Sequence, residues 1–417
     1  MKYDENFISF IAVAVAYWTF MLTDGALRML VLLHFHQLGI SPLQLAYIFL
    51  IYEFMGVITN LAAGFLAKKF GLKSTLYTGL ILQVLALLML SLIPSNWSVI
   101  EMVFFATFVQ AISGVAKDLT KTSAKSSVKI LSPGNRDDIV FQWVAKLTGS
   151  KNAAKGLGFF LGCALIAFVG FSLGLIALGL MLLTIFLLLK TFMPPELPAG
   201  TKNVKFLNIF SHNKKINLLS LARLFLFGAR DVWFVVGIPL FFIKMFSDGS
   251  PESNIYVFFL IGSFMAIWTI FYGILQTWVP SFFKGISYQS MQKRLVFWIG
   301  ALTLTPLLLS LMMLLVIPLS NSILVASIIL GLFVFGAILA ISSSLHSFLI
   351  LYFTSTKRAS LDVGFYYMSN AAGRLIGTFL SGLSYQMGGL AYCLLFSTIL
   401  LSCSFFWTLL LQRESSQ

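Results

Sequence analysis

The chain has 417 residues, of which 59% are hydrophobic and 10% charged, with a mean hydropathy of +0.94 and a net charge of +14. A soluble domain carries about 25% charged residues, so a soluble enzyme is excluded and the class is an all-α polytopic membrane protein. The three cysteines, Cys163, Cys393 and Cys403, sit singly in apolar segments, which argues against a disulfide framework or a CxxC metal or redox site.

The N-terminal MKYDENF lacks the basic start and cleavage site of a signal peptide, so the first hydrophobic segment is expected to remain as a span. Twelve apolar spans follow: Phe7–Phe35, Leu43–Ala67, Ser74–Ile93, Val99–Ala116, Lys146–Val169, Phe171–Phe192, Ile216–Ile243, Asn254–Val279, Leu295–Ile317, Ile323–Ile350, Asp362–Met387 and Gly389–Leu411. The fifth needs its own argument. Gly156 to Gly170 holds only 15 residues, about 22 Å of helix, against a hydrocarbon core of about 30 Å. The helix must therefore begin earlier, which places Asn152, Lys155 and Lys151 at membrane depth.

The connections alternate in charge. Of the 28 Lys and Arg residues, Arg28, Lys151, Lys155, Arg223, Arg230, Lys244 and Arg374 lie in spans or in the poorly charged connections. The rest fall on one side, which the positive-inside rule makes the cytoplasm, with both termini there. A cytoplasmic face beside anionic lipid explains the basic balance, and no nucleic-acid partner is implied.

Between spans six and seven lies MPPELPAGTKNVKFLNIFSHNKK, Pro-rich and basic. It reads as a cytoplasmic linker at 194–215 between two six-helix halves, 1–193 and 216–417. The halves echo each other. Asn152-Ala-Ala-Lys155-Gly-Leu-Gly in span five parallels Asn370-Ala-Ala-Gly-Arg374-Leu-Ile-Gly in span eleven, which matches Lys155 to Arg374. Gly158-x3-Gly162 and Gly373-x3-Gly377 supply close-packing faces. Twelve spans in two parallel half-repeats are the signature of the major facilitator fold. The loop Gly64-Phe-Leu-Ala-Lys68-Lys69-Phe-Gly71-Leu-Lys73 resembles that superfamily's Gly-x3-Asp-Arg-x-Gly-x-Arg/Lys motif, with Lys68 where the acid is expected.

Charges at membrane depth are expensive and mark function. Asp24 and Arg28 share a helix face at i, i+4, acid first, which favours a pair. Glu53 sits half-way along span two among apolar neighbours, and Arg230 and Asp231 lie mid-span seven. Arg223 and Lys151 read as side chains snorkelling toward the cytoplasm. If the halves enclose a central cavity, Arg28, Lys155, Arg230 and Arg374 form its cationic set, with Asn152 and Asn370 beside them. Asp24, Glu53 and Asp231 form the acidic set. The excess of cations favours a multiply charged anion, and arginine's planar fork suits phosphate-like oxyanions. The carboxylates are candidates for proton coupling and thus for proton-driven exchange, Asp24 first and Glu53 second. The alternative is that the charges pair internally and only hold the bundle together.

Lys117, Lys121, Lys125 and Lys129 recur every four residues at the end of span four. They form a basic stripe that is either a solvated face near headgroups or an anion funnel, with Lys117 and Asp118 nearest the cavity. His34, His36 and His346 read as structural, and His34 and His36, two apart, do not form a chelate. No nucleophile, metal or P-loop pattern appears, so neither a cofactor nor an enzymatic reaction is expected.

A narrower resemblance rests on longer stretches. AYWTFMLTDGALRMLVLLHFHQLGISPLQLA, IYEFMGVITNLAAGFLAKKFG, GVAKDLTKTSAKSSVK and FQWVAKLTGSKNAAKGLGFF, supported later by GARDVWFVVGIPLFF and SNAAGRLIG, resemble the organoarsenical efflux permease branch of the major facilitator superfamily. The resemblance implies export of 1-arseno-3-phosphoglycerate. It also implies a functional link to glyceraldehyde-3-phosphate dehydrogenase, which makes that compound when arsenate replaces phosphate, and hence arsenate resistance. The residues alone say only that the cargo is an oxyanion, so another organic phosphate or organic anion is the alternative. Scattered cysteines agree with a pentavalent arsenical, since trivalent arsenic would want clustered thiolates.

Overall fold

The computed structural model describes residues 2–94, 96–131, 137–192, 211, 213–283, 288–315, 320–354 and 359–416. Most of the linker at 194–215, Lys284, Lys357, Arg358 and the side chains of Lys68, Lys129 and Lys146 lie outside the described residues.

Among the described residues every regular element is helical. The N-terminal helices are α1 (Lys2–Gln37), α2 (Pro42–Phe70), α3 (Leu72–Ser91), α4 (Val99–Leu131), α5 (Asp137–Phe168) and α6 (Phe171–Phe192). The connection between α2 and α3 is a single residue, Gly71. Its φ of 87° is one that a side chain would strain, which explains a glycine at that place in the loop motif.

The later helices are α7 (Lys214–Val232), α8 (Ile238–Phe246), α9 (Pro251–Phe282), α10 (Tyr288–Leu314), α11 (Asn321–Phe353) and α12 (Ala359–Ser416). α7 and α8 form one span joined by a π-turn, Trp233–Gly237, which the sequence does not announce. Pro239 lacks an N–H, and the turn before it widens, with the Ile238 N–H donating to the Trp233 carbonyl five residues back. The Val236 N–H donates to Ser381 Oγ of α12 at 3.1 Å.

Ten stretches of the described residues are long and apolar enough to cross a membrane. One of them, Asp362–Glu414 in α12, has 53 residues, about 80 Å of helix and more than twice the hydrocarbon core. It breaks at Gly388 (φ −164°, ψ 28°) and Gly389 (φ 65°, ψ −153°), where the sequence places the boundary between spans eleven and twelve. α5 is the remaining span. Lys151, Asn152 and Lys155 dilute its apolar run, and its 32 residues start well before Gly156. The chain is a multi-pass membrane protein with the twelve-span helical fold expected.

The chain forms two compact units. The first holds Met1–Leu38, Phe54–Leu207 and Phe258–Gly273; the second holds Gly39–Glu53, Asn208–Val257 and Ile274–Gln417. In the first, α1 packs on α5 through glycines. A Cβ at Gly158 would strike the Leu22 carbonyl oxygen, one at Gly162 the Ala26 backbone, and one at Gly25 would lie 2.5 Å from the Lys155 carbonyl oxygen. α3 meets α4 through polar contacts, Thr75 to Ser123 at 2.6 Å and Ser113 Oγ donating to Gln83 Oε1 at 2.7 Å. In the second unit α7 packs on α12 in the same manner. A Cβ at Gly373 would strike the Leu224 carbonyl oxygen, and one at Gly377 the Gly228 carbonyl oxygen. A buried cluster of Ile216, Leu219, Leu295, Ile299, Leu345, Leu349 and Tyr366 fills the space between α7, α10, α11 and α12.

Candidate functional site

In the first unit the charges gather where α1 and α5 touch. The small residues of the seam bring the two backbones close, so that side chains one turn away can reach across. Lys155 Nζ lies 2.5 Å from Asp24 Oδ2, and the Asp24 side chain is almost fully buried. Lys117 of α4 and Arg28 act on the same carboxylate electrostatically. The sequence offered Arg28 as the partner of Asp24; the ion pair across helices, to Lys155 131 residues away, was not visible in it. Arg28 and Lys117 are both buried. Lys155 Nζ also stands 5.7 Å from the Phe159 ring centroid. Asn152 faces α9, where a Cβ on Gly273 would lie 2.8 Å from its own Cβ.

In the second unit Arg374 of α12 bridges two carboxylates. Its Nη2 lies 2.5 Å from Glu53 Oε1 and its Nε 3.2 Å from Asp231 Oδ2. Arg230 holds the other oxygen of Asp231, with Nη2 at 2.5 Å and Nε at 2.6 Å from Oδ1. The guanidinium of Arg230 also lies 5.2 Å from the Phe227 ring and 5.9 Å from the Phe234 ring. Glu53 and Asp231 are completely or nearly buried, whereas the Arg374 and Arg230 side chains are 17% and 16% exposed. Asn370 accepts from Arg223 Nε at 3.2 Å.

Two expectations change. The match of Lys155 to Arg374 does not follow the packing. Gly158 and Gly373 each meet a leucine carbonyl, at Leu22 and Leu224, and Gly162 and Gly377 each meet the residue four further on. In that register Lys155 corresponds to Asn370, Phe159 to Arg374, and Arg28 to Arg230. The repeat therefore preserves the glycine seam and one arginine, while each unit places its other charges independently. Arg223 does not snorkel. It is 5% exposed, bonded to Asn370 and to the Ser343 carbonyl oxygen, and lies against the rings of Phe227 and Tyr366. Two acceptors and two aromatic faces surround it inside the bundle.

The basic stripe of α4 is only partly a solvated face. Lys121 Nζ donates to Asp118 Oδ1 at 2.6 Å and to Asn60 Oδ1 of α2 at 2.7 Å, and Asp118 is fully buried. His34 stacks on Phe171 with centroids 3.9 Å apart. Among the described residues no group of three or more His, Cys, Asp or Glu is placed to hold a metal ion.

Each cation of these pairs can exchange its carboxylate for an anion's oxygen, and each carboxylate can carry a proton. The twelve-span helical bundle around these pairs has the architecture of a secondary transporter. The chain belongs to the Major Facilitator Superfamily, whose family model matches residues 10–352. Three solved structures share the fold. The nucleoside transporter NupG is 16% identical, with a TM-score of 0.68 over 97% of this chain and 98% of that one. A POT family transporter in complex with 5-aminolevulinic acid is 14% identical, with a TM-score of 0.72 over 98% and 96%. A bacterial homologue of the iron transporter ferroportin, inward-facing, is 14% identical, with a TM-score of 0.71 over 97% and 98%. No curated protein sequence matches the chain.

Proposed function

We propose that the chain exports an organoarsenical oxyanion, 1-arseno-3-phosphoglycerate, across the bacterial inner membrane. It thereby confers arsenate resistance together with glyceraldehyde-3-phosphate dehydrogenase. The observation that supports this reading is the set of buried ion pairs, Lys155–Asp24 and Arg374–Glu53 with Asp231 shared by Arg230. In a low-dielectric interior these cations need a counter-ion, and a phosphate- or arsenate-like group can replace the carboxylate through charge-assisted bonds. Arg28, Lys117, Asn152 and Asn370 are the neighbouring substrate-binding candidates. The identity of the anion is carried by the sequence resemblance, and the charge chemistry specifies an oxyanion.

The pairs also bear on coupling. An anion that takes the cation frees the carboxylate, and a proton that neutralises the carboxylate frees the cation. Each event favours the other, and linkage makes that reciprocal. Asp24, Glu53 or Asp231 would therefore carry a proton in the same direction as the anion, in place of the exchange suggested by the sequence. Export still runs outward, because an anion bearing several charges plus one proton moves net negative charge out of a negative cell interior. That movement releases about 2.3 kcal/mol per charge per 100 mV.

Everted membrane vesicles test the reading. Supplied with arsenate, glyceraldehyde 3-phosphate, NAD and the dehydrogenase, vesicles holding the chain are expected to accumulate arsenic, and omission of the dehydrogenase is expected to abolish uptake. Uptake of glycerol phosphate without arsenic accumulation would favour the other organic phosphate carrier.

A further inference from the structure

Arg223 differs from the other buried cations of the second unit. It lies seven residues before Arg230 on α7, about 10 Å along the axis. Its Nε donates to Asn370 Oδ1 at 3.2 Å and its Nη1 to the Ser343 carbonyl at 3.3 Å, two of the five N–H donors a guanidinium carries. Its guanidinium carbon stands 4.2 Å from the Phe227 centroid and 4.8 Å from that of Tyr366. Arg230 and Arg374 each hold a carboxylate; among the described residues Arg223 has none within ion-pair distance. A 5% exposed guanidinium without a counter-charge is costly to bury, and the aromatic faces offset only part of that cost.

The surroundings add neutral donors without adding a carboxylate. His346 of α11 is fully buried, and neither of its ring nitrogens has a hydrogen-bond partner among the described residues. It lies in the electrostatic field of Arg223. Ser342, one turn earlier on α11, is equally buried with its hydroxyl unbonded. Gln276 of α9 reaches the same place, its Nε2 donating to Ser343 Oγ at 2.9 Å. A neutral imidazole presents one N–H donor. The site therefore combines a fork-shaped cation with two buried, unbonded side chains, His346 and Ser342, and, among the described residues, no carboxylate within ion-pair distance.

We infer that Arg223, with His346 and Gln276 beside it, is an oxyanion-binding site that takes one acidic end of the transported anion. The inference rests on the reading of the chain as an oxyanion carrier and deepens it. Two cationic positions about 10 Å apart on α7, Arg223 and Arg230, suit a small anion acidic at both ends better than a single inorganic phosphate.

The test is binding of 3-phosphoglycerate, which carries a carboxylate and a phosphate, to the purified full-length carrier. Arg223→Gln is expected to weaken binding about tenfold or more while the melting profile stays cooperative. Arg223→Lys, which keeps the charge against the two rings, is a second variant if the first fails to fold, and it too is expected to bind several-fold more weakly. His346→Ala, which removes no charge, is expected to weaken binding a few-fold. Wild-type affinity in a folded Arg223 variant overturns the inference, as does failure of the wild-type carrier to bind the probe. Arsenate tolerance of cells separates this from the proposed function. Arg223-dependent binding without arsenate protection refutes the arsenical reading alone. Protection with binding indifferent to Arg223 refutes the site alone.

Discussion

Arg374 is the residue at which removal of one charge should be felt most. It contacts Glu53 at 2.5 Å and Asp231 at 3.2 Å, and both carboxylates are buried. Arg374→Ala takes a guanidinium from two acids that water does not reach. Breaking a buried pair from one side costs about 3–5 kcal/mol. Asp231 keeps Arg230 at 2.5 Å, so most of the loss falls on Glu53. Glu53→Gln in the Arg374→Ala background removes that burden, and the double variant is expected to be more stable than the sum of the single losses by about 1–3 kcal/mol. Asp231→Asn in the same background is expected to recover less. The assay is denaturant unfolding of the purified carrier in mixed micelles for each corner of the cycle. Losses for Arg374→Ala and Glu53→Gln that add within about 0.5 kcal/mol would refute the pair.

Other outcomes follow from the same geometry. Gly158→Ala and Gly373→Ala push a methyl group into a backbone carbonyl. Each is expected to lose about 1–3 kcal/mol, whereas Gly179→Ala, whose nearest neighbours are side-chain atoms of Leu88 and Leu87 and not backbone, should lose less than either. Replacing Cys163, Cys393 and Cys403 by Ala is expected to leave arsenate protection intact; loss of protection with normal insertion would indicate thiol capture of arsenic. Asp248, in the connection before α9, is held down at about 2 by the hydroxyls of Ser253 and Ser250. Its folded value lies below the ordinary one, so its stabilising contribution is present above the ordinary carboxylate range and fades as pH falls toward about 2. Transport by Asp248→Asn is expected to follow the wild-type profile from about pH 5 to 8, and a displaced profile would assign Asp248 a role in coupling.

Much of this was legible in the chain because bilayer physics is severe. Length alone forced Lys155 into the membrane, and the glycine pair at 388 and 389 marked the break in α12. Partners were less legible. Glu53 sits among apolar neighbours, and its cation lies 321 residues away, a distance over which local periodicity is silent. The Asp24–Lys155 pair depends on the approach of α1 and α5, which the glycines suggested without fixing the register. Repeat alignment by sequence matched Lys155 to Arg374, and only the packing showed that the glycine seam sets a different correspondence. Arg223 was misread because snorkelling and burial between rings look alike in a one-dimensional pattern.

Arsenate tolerance tests the central claim most directly. Cells with and without the chain, each with and without a co-expressed glyceraldehyde-3-phosphate dehydrogenase, are grown across a range of arsenate concentrations. Export of the arsenylated product is expected to raise tolerance only when carrier and dehydrogenase are both present, and an Arg374→Ala carrier that inserts normally should abolish the gain. Tolerance unchanged by the pair, or raised by the carrier in the absence of the dehydrogenase, would contradict it.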